Sequence, residues 1–167
     1  MRKGKRLTII GGIVVGLLAI STVAIAASNA FQSKGINNVR VKTQTSAYST
    51  SSTSWVSLPS ASLTMSIPNG KEKLFIAEFD AESYCQGGTG WCSVRILVDG
   101  NEMHPISGTD FAFDSVDTDG YESHAMSRTY GPMGPGQHTF QVQMRVNNTS
   151  TQFRLDDWTF KVFKGAA

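Results

Sequence analysis

The chain has 167 residues, 40% of them hydrophobic and 17% charged, with a net charge of +2. Four of its fifteen basic residues, Arg2, Lys3, Lys5 and Arg6, fall in the first six positions; without them eleven basic residues face thirteen acidic ones, a net charge of −2. That balance argues against a general binder of nucleic acid or anionic membrane, which needs a surplus of Lys and Arg on one face. The sequence also carries no nucleotide loop, no Cys/His set at zinc spacing and no triad motif.

The basic residues precede an uncharged, mostly apolar run from Leu7 to Ala26 that closes on Ala24-Ile25-Ala26, the small-x-small pattern of a bacterial-style signal peptide. A second small-x-small site, Ser28-Asn29-Ala30, allows cleavage as late as residue 30. A run of about 20 apolar residues also suffices to span a bilayer, so the alternative is an uncleaved anchor that tethers the protein to a membrane. Gly11, Gly12, Gly16, Ser21 and Thr22 within the run favour cleavage and a secreted, extracellular protein. Removal of residues 1–26 leaves 141, enough for one domain with its own core.

Residues 27–54 are polar and crowded with Ser and Thr from Thr43 onward, which reads as a stalk. The alternation at Val39-Arg40-Val41 gives the other reading, a first edge strand. From 55 to 167 the signals are those of short strands. Leu63-Thr64-Met65-Ser66-Ile67 alternates, Pro68-Asn69-Gly70 turns, and Leu74 to Ala81 sets Phe75, Ala77, Phe79 and Ala81 on one face against Glu78, Asp80 and Glu82 on the other. Cys92, Val94, Ile96 and Val98 share a face of the next strand. In an oxidising compartment Cys85 and Cys92 form a disulfide. Placing them opposite each other in an antiparallel hairpin pairs Ala81 with Ile96, Phe79 with Val98 and Glu82 with Arg95.

Asp99-Gly100 is a two-residue hairpin turn. Phe111 and Phe113 share a face, Tyr121 to Tyr130 forms a further strand, and Phe140, Val142, Met144 and Val146 line one face of a long one. In the terminal strand, Gln152 to Phe163, Phe153 and Leu155 are odd-numbered and Trp158, Phe160 and Val162 even-numbered. One extra residue at Asp156-Asp157, a β-bulge, restores a common face. About eight strands without a helical period define an all-β fold, a two-layer antiparallel β-sandwich of jelly-roll type.

The segments Phe79-Asp80-Ala81-Glu82-Ser83, Val94-Arg95-Ile96-Leu97-Val98-Asp99-Gly100, Asp110-Phe111-Ala112-Phe113-Asp114, Pro135-Gly136-Gln137-His138-Thr139 and Leu155-Asp156-Asp157-Trp158 are together similar to a family of short, uncharacterised secreted bacterial β-sandwich proteins. The resemblance covers most of residues 55–163. It implies an exported single β-sandwich domain and no established activity.

Candidate binding residues are the aromatics that a secreted sandwich can offer to sugar rings, Trp91, Tyr84, Tyr121 and Tyr130, together with Asp156 and Asp157 at the bulge. Trp55 and Trp158 read as core, and His104, His124 and His138 as surface or turn residues. Asp114, Asp117, Asp119 and Glu122 form an oxygen-rich stretch that suits Ca2+, although the spacing departs from the EF-hand pattern. No other cofactor is indicated. The leading reading is a non-enzymatic extracellular domain that binds a glycan or a protein partner, or associates with itself as a homo-oligomer. The runner-up is a small polysaccharide hydrolase using carboxylates from Glu78, Asp80, Asp156 or Asp157.

Mass spectrometry of the exported protein is expected to find Ala27 or Phe31 at the N-terminus; an intact Leu7–Ala26 run would instead establish the tethered form.

Overall fold

The computed structural model describes residues 32–108, 111–117 and 120–166. The signal segment and the two cleavage sites expected from the sequence lie outside them. Among the described residues no helix is long and apolar enough to cross a membrane.

Among the described residues there are ten strands: β1 (Ile36–Gln44), β2 (Tyr48–Thr50), β3 (Val56–Ile67), β4 (Lys73–Gly87), β5 (Trp91–Val98), β6 (Asn101–Glu102), β7 (Asp114–Ser115), β8 (Glu122–Met133), β9 (Gly136–Val146) and β10 (Thr151–Ala166). They form two antiparallel sheets. The first runs β1-β10-β4-β8, with β2 also on β10; the second runs β3-β9-β5-β6, with β7 also on β5. Following the long strands β1, β3, β4, β5, β8, β9 and β10 in chain order, the chain changes sheet at each step. This is the lacing of a jelly roll, and the all-β sandwich is thus realised.

The inner faces are the alternating apolar sets read from the sequence. Phe75, Ala77 and Phe79 of β4 and Trp158, Phe160 and Val162 of β10 meet Val94, Ile96 and Val98 of β5 and Phe140, Val142 and Met144 of β9, all enclosed. Phe75 packs on Phe140 with ring centroids 4.9 Å apart, so the two sheets interdigitate.

The hairpin expected between the two cysteine strands does not form, because β4 and β5 belong to different sheets. Cys85 and Cys92 are bonded, with Cα atoms 5.9 Å apart, but the bond crosses the core from sheet to sheet. Two facing sheets satisfy the same pattern as a hairpin: both strands turn their apolar residues inward and the sulfurs meet between them. Only the outward-facing residues report the difference. Glu82 lies across from Ser123 and Asp156, while Arg95 bonds Gln143 and Glu102 on the second sheet.

The short connection after Cys85 is docked rather than loose. Trp91 donates its backbone N–H to Asn147 Oδ1 at 3.0 Å. A Cβ on Gly90, at φ +130°, would strike the Asn147 side chain, and one on Gly87, at φ +87°, would sit 2.6 Å from the Ser150 carbonyl oxygen.

Residues 36–44, from the stretch with two readings, are strand and pair with β10. The sheet therefore begins at Ile36 rather than at Trp55. The turn at Asp99-Gly100 has positive φ at both residues, 50° and 82°, as a primed hairpin turn requires. Asp99 is partly desolvated, which opposes ionisation, yet bonds from His138 and the Thr139 N–H hold its carboxyl below its ordinary value. The region around Phe111 and Phe113 is loop rather than strand, with Phe113 buried and Phe111 beneath the Arg128 guanidinium.

The terminal bulge lies where the apolar phase slips. Asp156 pairs with Glu82 but Thr159 with Asp80, one residue too many on β10, and Asp157 takes φ 41°. The strand that carries it is not an edge strand, since β10 lies between β1 and β4.

Replacing both Cys85 and Cys92 by Ala is expected to lower the unfolding free energy by about 2.5 kcal/mol in the chain-entropy account of so short a loop. Urea denaturation monitored by tryptophan fluorescence reads this directly, and an unchanged midpoint would show that the cross-link adds nothing.

Candidate functional site on the exterior of the β1-β10-β4-β8 sheet

Directly paired residues of antiparallel strands point to the same side, so the registers define what the outer face presents. β4 turns Glu78, Asp80, Glu82 and Tyr84 outward. Opposite them on β10 stand Lys161, Thr159, Asp156 and Arg154, and on β8 stand Ser127, Ala125 and Ser123. Tyr121 enters β8 beside Tyr84. The result is four successive cross-strand rows, and Tyr84 to Glu78 spans about 20 Å along the strand.

At one end the rings of Tyr84 and Tyr121 are 5.5 Å apart and tilted by 45°. The Arg154 guanidinium lies 5.6 Å from the Tyr121 ring centroid and reaches Asp156 at 3.5 Å. Tyr121 is 45% exposed, so its ring is open to solvent. The cluster therefore offers apolar ring surface, a planar cation and hydrogen-bonding phenols.

Farther along, the small outward side chains of β8 leave room beside the long acids of β4. Two adjoining depressions result, of about 470 Å³ and about 290 Å³, sharing Asp80 and Ala125 in their walls. Glu78 and Lys161 flank the first; Glu82, His124 and Asp157 flank the second. Lys161 donates to Asp80 Oδ2 at 3.1 Å. The bulge is what brings Asp157 here: with regular alternation it would point away from Asp156, but its left-handed backbone places it in the wall of the groove.

Four of the residues singled out from sequence, Tyr84, Tyr121, Asp156 and Asp157, are thus brought to one surface. Two others are not. Trp91 is half-buried on β5 with its indole N–H enclosed, and Tyr130 faces inward from β8, stacked 6.2 Å from His104. Trp55, expected in the core, lies against the opposite sheet, its ring covered by Arg95 at 4.4 Å and Arg145 at 4.7 Å. Trp158 is core, 1% exposed. Of the oxygen-rich stretch, Asp114 and Glu122 come together with His124, a set that does not include Asp117. Asp119 lies outside the described residues.

Arg154 and Glu82 join the surface without having been marked as binding residues in the sequence. Arg154 and Glu82 gain meaning only from the pairing of β10 with β4, which joins residues some seventy positions apart.

Neither a protein-family model nor a curated protein matches the chain. Among solved structures it is similar to dimeric latent PorU from Porphyromonas gingivalis, with 11% identity and a TM-score of 0.40. The match covers 84% of this chain and 14% of that one, and a likeness at this level carries no functional argument.

Proposed function

We propose that this is an exported, non-enzymatic glycan-binding domain whose ligand lies along the exterior of the β1-β10-β4-β8 sheet. The observation that carries the reading is the continuity of the four rows: the Tyr84–Tyr121–Arg154 cluster runs without interruption into the groove bordered by Glu78, Asp80, Glu82 and Asp157. A sugar presents C–H patches that stack on aromatic rings and hydroxyls that donate to carboxylates and accept from Lys and Arg. The face has both kinds of partner in line, at the length of an extended oligosaccharide. On the opposite sheet the Trp55 ring is already covered by two guanidinium groups.

The disulfide and the apolar leader expected from sequence support placement outside the cytoplasm. The groove carboxylates keep the hydrolase reading as the alternative, because paired carboxyl groups across a sugar site are the machinery of glycoside cleavage.

A glycan array probed with the purified protein is expected to return saturable hits whose affinity falls about tenfold in each of Tyr84→Ala and Tyr121→Ala. The same hits should release no reducing ends on prolonged incubation. Binding that ignores both tyrosines would refute the assigned face, and release of reducing ends would replace the binding protein with the hydrolase.

A further inference from the structure

A separate set of side chains lies between the sheets where β4, β7 and β8 converge. Asp114, only 6% exposed, accepts a 2.7 Å hydrogen bond at Oδ2 from Ser83 Oγ. Ser83 is fully enclosed and also lies 2.8 Å from His124 Nδ1. A hydroxyl has one proton to give. With that proton committed to the carboxylate, Ser83 accepts from His124, so Nδ1 carries the ring proton and Nε2 is turned toward Glu122, whose Oε2 is 3.5 Å away. One ligand atom from each of Asp114, Glu122 and His124 lies within 4.8 Å of the others.

Among the described residues no Lys or Arg forms an ion pair with Asp114 or Glu122. Two carboxylates, one of them buried, therefore converge on an imidazole nitrogen without a basic side chain to balance them, an arrangement that calls for a cation. The His124 and Glu122 side chains remain 29% and 50% exposed, which supplies a way in from solvent.

We infer that Asp114, Glu122 and His124 form a binding site for one divalent transition-metal ion of the Zn2+ class. The donor set of one imidazole nitrogen and two carboxylates suits a borderline metal, leaving a coordination position open, whereas Ca2+ seeks six to eight oxygen ligands. Ser83 acts as the positioning residue. It holds His124 through the nitrogen that does not face the ion and anchors Asp114 with its own proton, the supporting role that outer partners of metal ligands perform. The Cys85–Cys92 bond keeps this arrangement in place, because Cys92 pairs with Asp114 and Cys85 stands two residues beyond Ser83.

Calorimetric titration of the tag-free, chelator-treated protein with ZnCl2, CaCl2 and MgCl2 tests the site. One saturable equivalent of Zn2+ is expected, with Ca2+ and Mg2+ at least tenfold weaker. Glu122→Gln alters an exposed residue that the fold does not need, and it should weaken Zn2+ by about tenfold or more, as should His124→Ala. Ser83→Ala should cost about 10- to 100-fold, while His138→Ala on the far turn should cost nothing. Absence of saturable Zn2+ uptake would reduce the cluster to a plain Glu122–His124 ion pair and overturn the inference. So would uptake unchanged in both Glu122→Gln and His124→Ala, or a preference for Ca2+.

Discussion

The covalent tie between Cys85 and Cys92 sits where the chain leaves one sheet for the other, and the layout of the whole domain follows from that crossing. A sandwich laced this way has little to hold its layers in register except the interdigitation of their inner faces, here Phe75 of β4 against Phe140 of β9. The disulfide fixes one end of that contact. With it, the start of β5 is pinned to β4, β7 is drawn against Ser83, and the entry to β8 with Tyr121 and Glu122 is set beside Tyr84. The candidate glycan face and the Asp114–Glu122–His124 cluster therefore share one structural origin on two sides of the same sheet.

The bulge at Asp156-Asp157 is the second device. Its extra residue keeps Phe153 and Leu155 on the same buried face as Trp158 and Phe160, so the core is continuous across it. The cost is a non-glycine residue at positive φ, of order 1 kcal/mol, and such sites persist where surrounding structure over-determines them. Here β1 and β2 on one side and β4 on the other do so. The first sheet ends at β1, where the paired positions put Arg40 and Lys42 on the inward side opposite Val162 and Phe160. Charges pointing inward from an edge strand oppose further strand addition.

Much of this was legible in the sequence wherever one strand carried its own evidence. The two-residue period predicted which side chains of β4, β5, β9 and β10 are buried, the phase slip located the bulge to the residue, and Asp99-Gly100 announced its turn. What was not legible was which strand lies beside which. The cysteine spacing, the apolar alternation and the Glu82–Arg95 charge pair all agreed on a hairpin, and two facing layers satisfy the first two equally well. Trp55 was misplaced for a related reason: a large aromatic reads as core unless the two arginines that cover it from neighbouring strands are known. The Asp114–Glu122–His124 cluster was half visible as an acidic stretch, and its imidazole and the buried Ser83 came from strands whose proximity only the fold supplies.

Nuclear magnetic resonance mapping of amide shifts on titration with an array-derived oligosaccharide tests the central claim most directly. The account predicts perturbations confined to Tyr84, Tyr121, Arg154, Glu82, Asp157 and their neighbours on the outer side of the β1-β10-β4-β8 sheet. Perturbations centred instead on Trp55, Arg95 and Arg145 of the opposite sheet would contradict it.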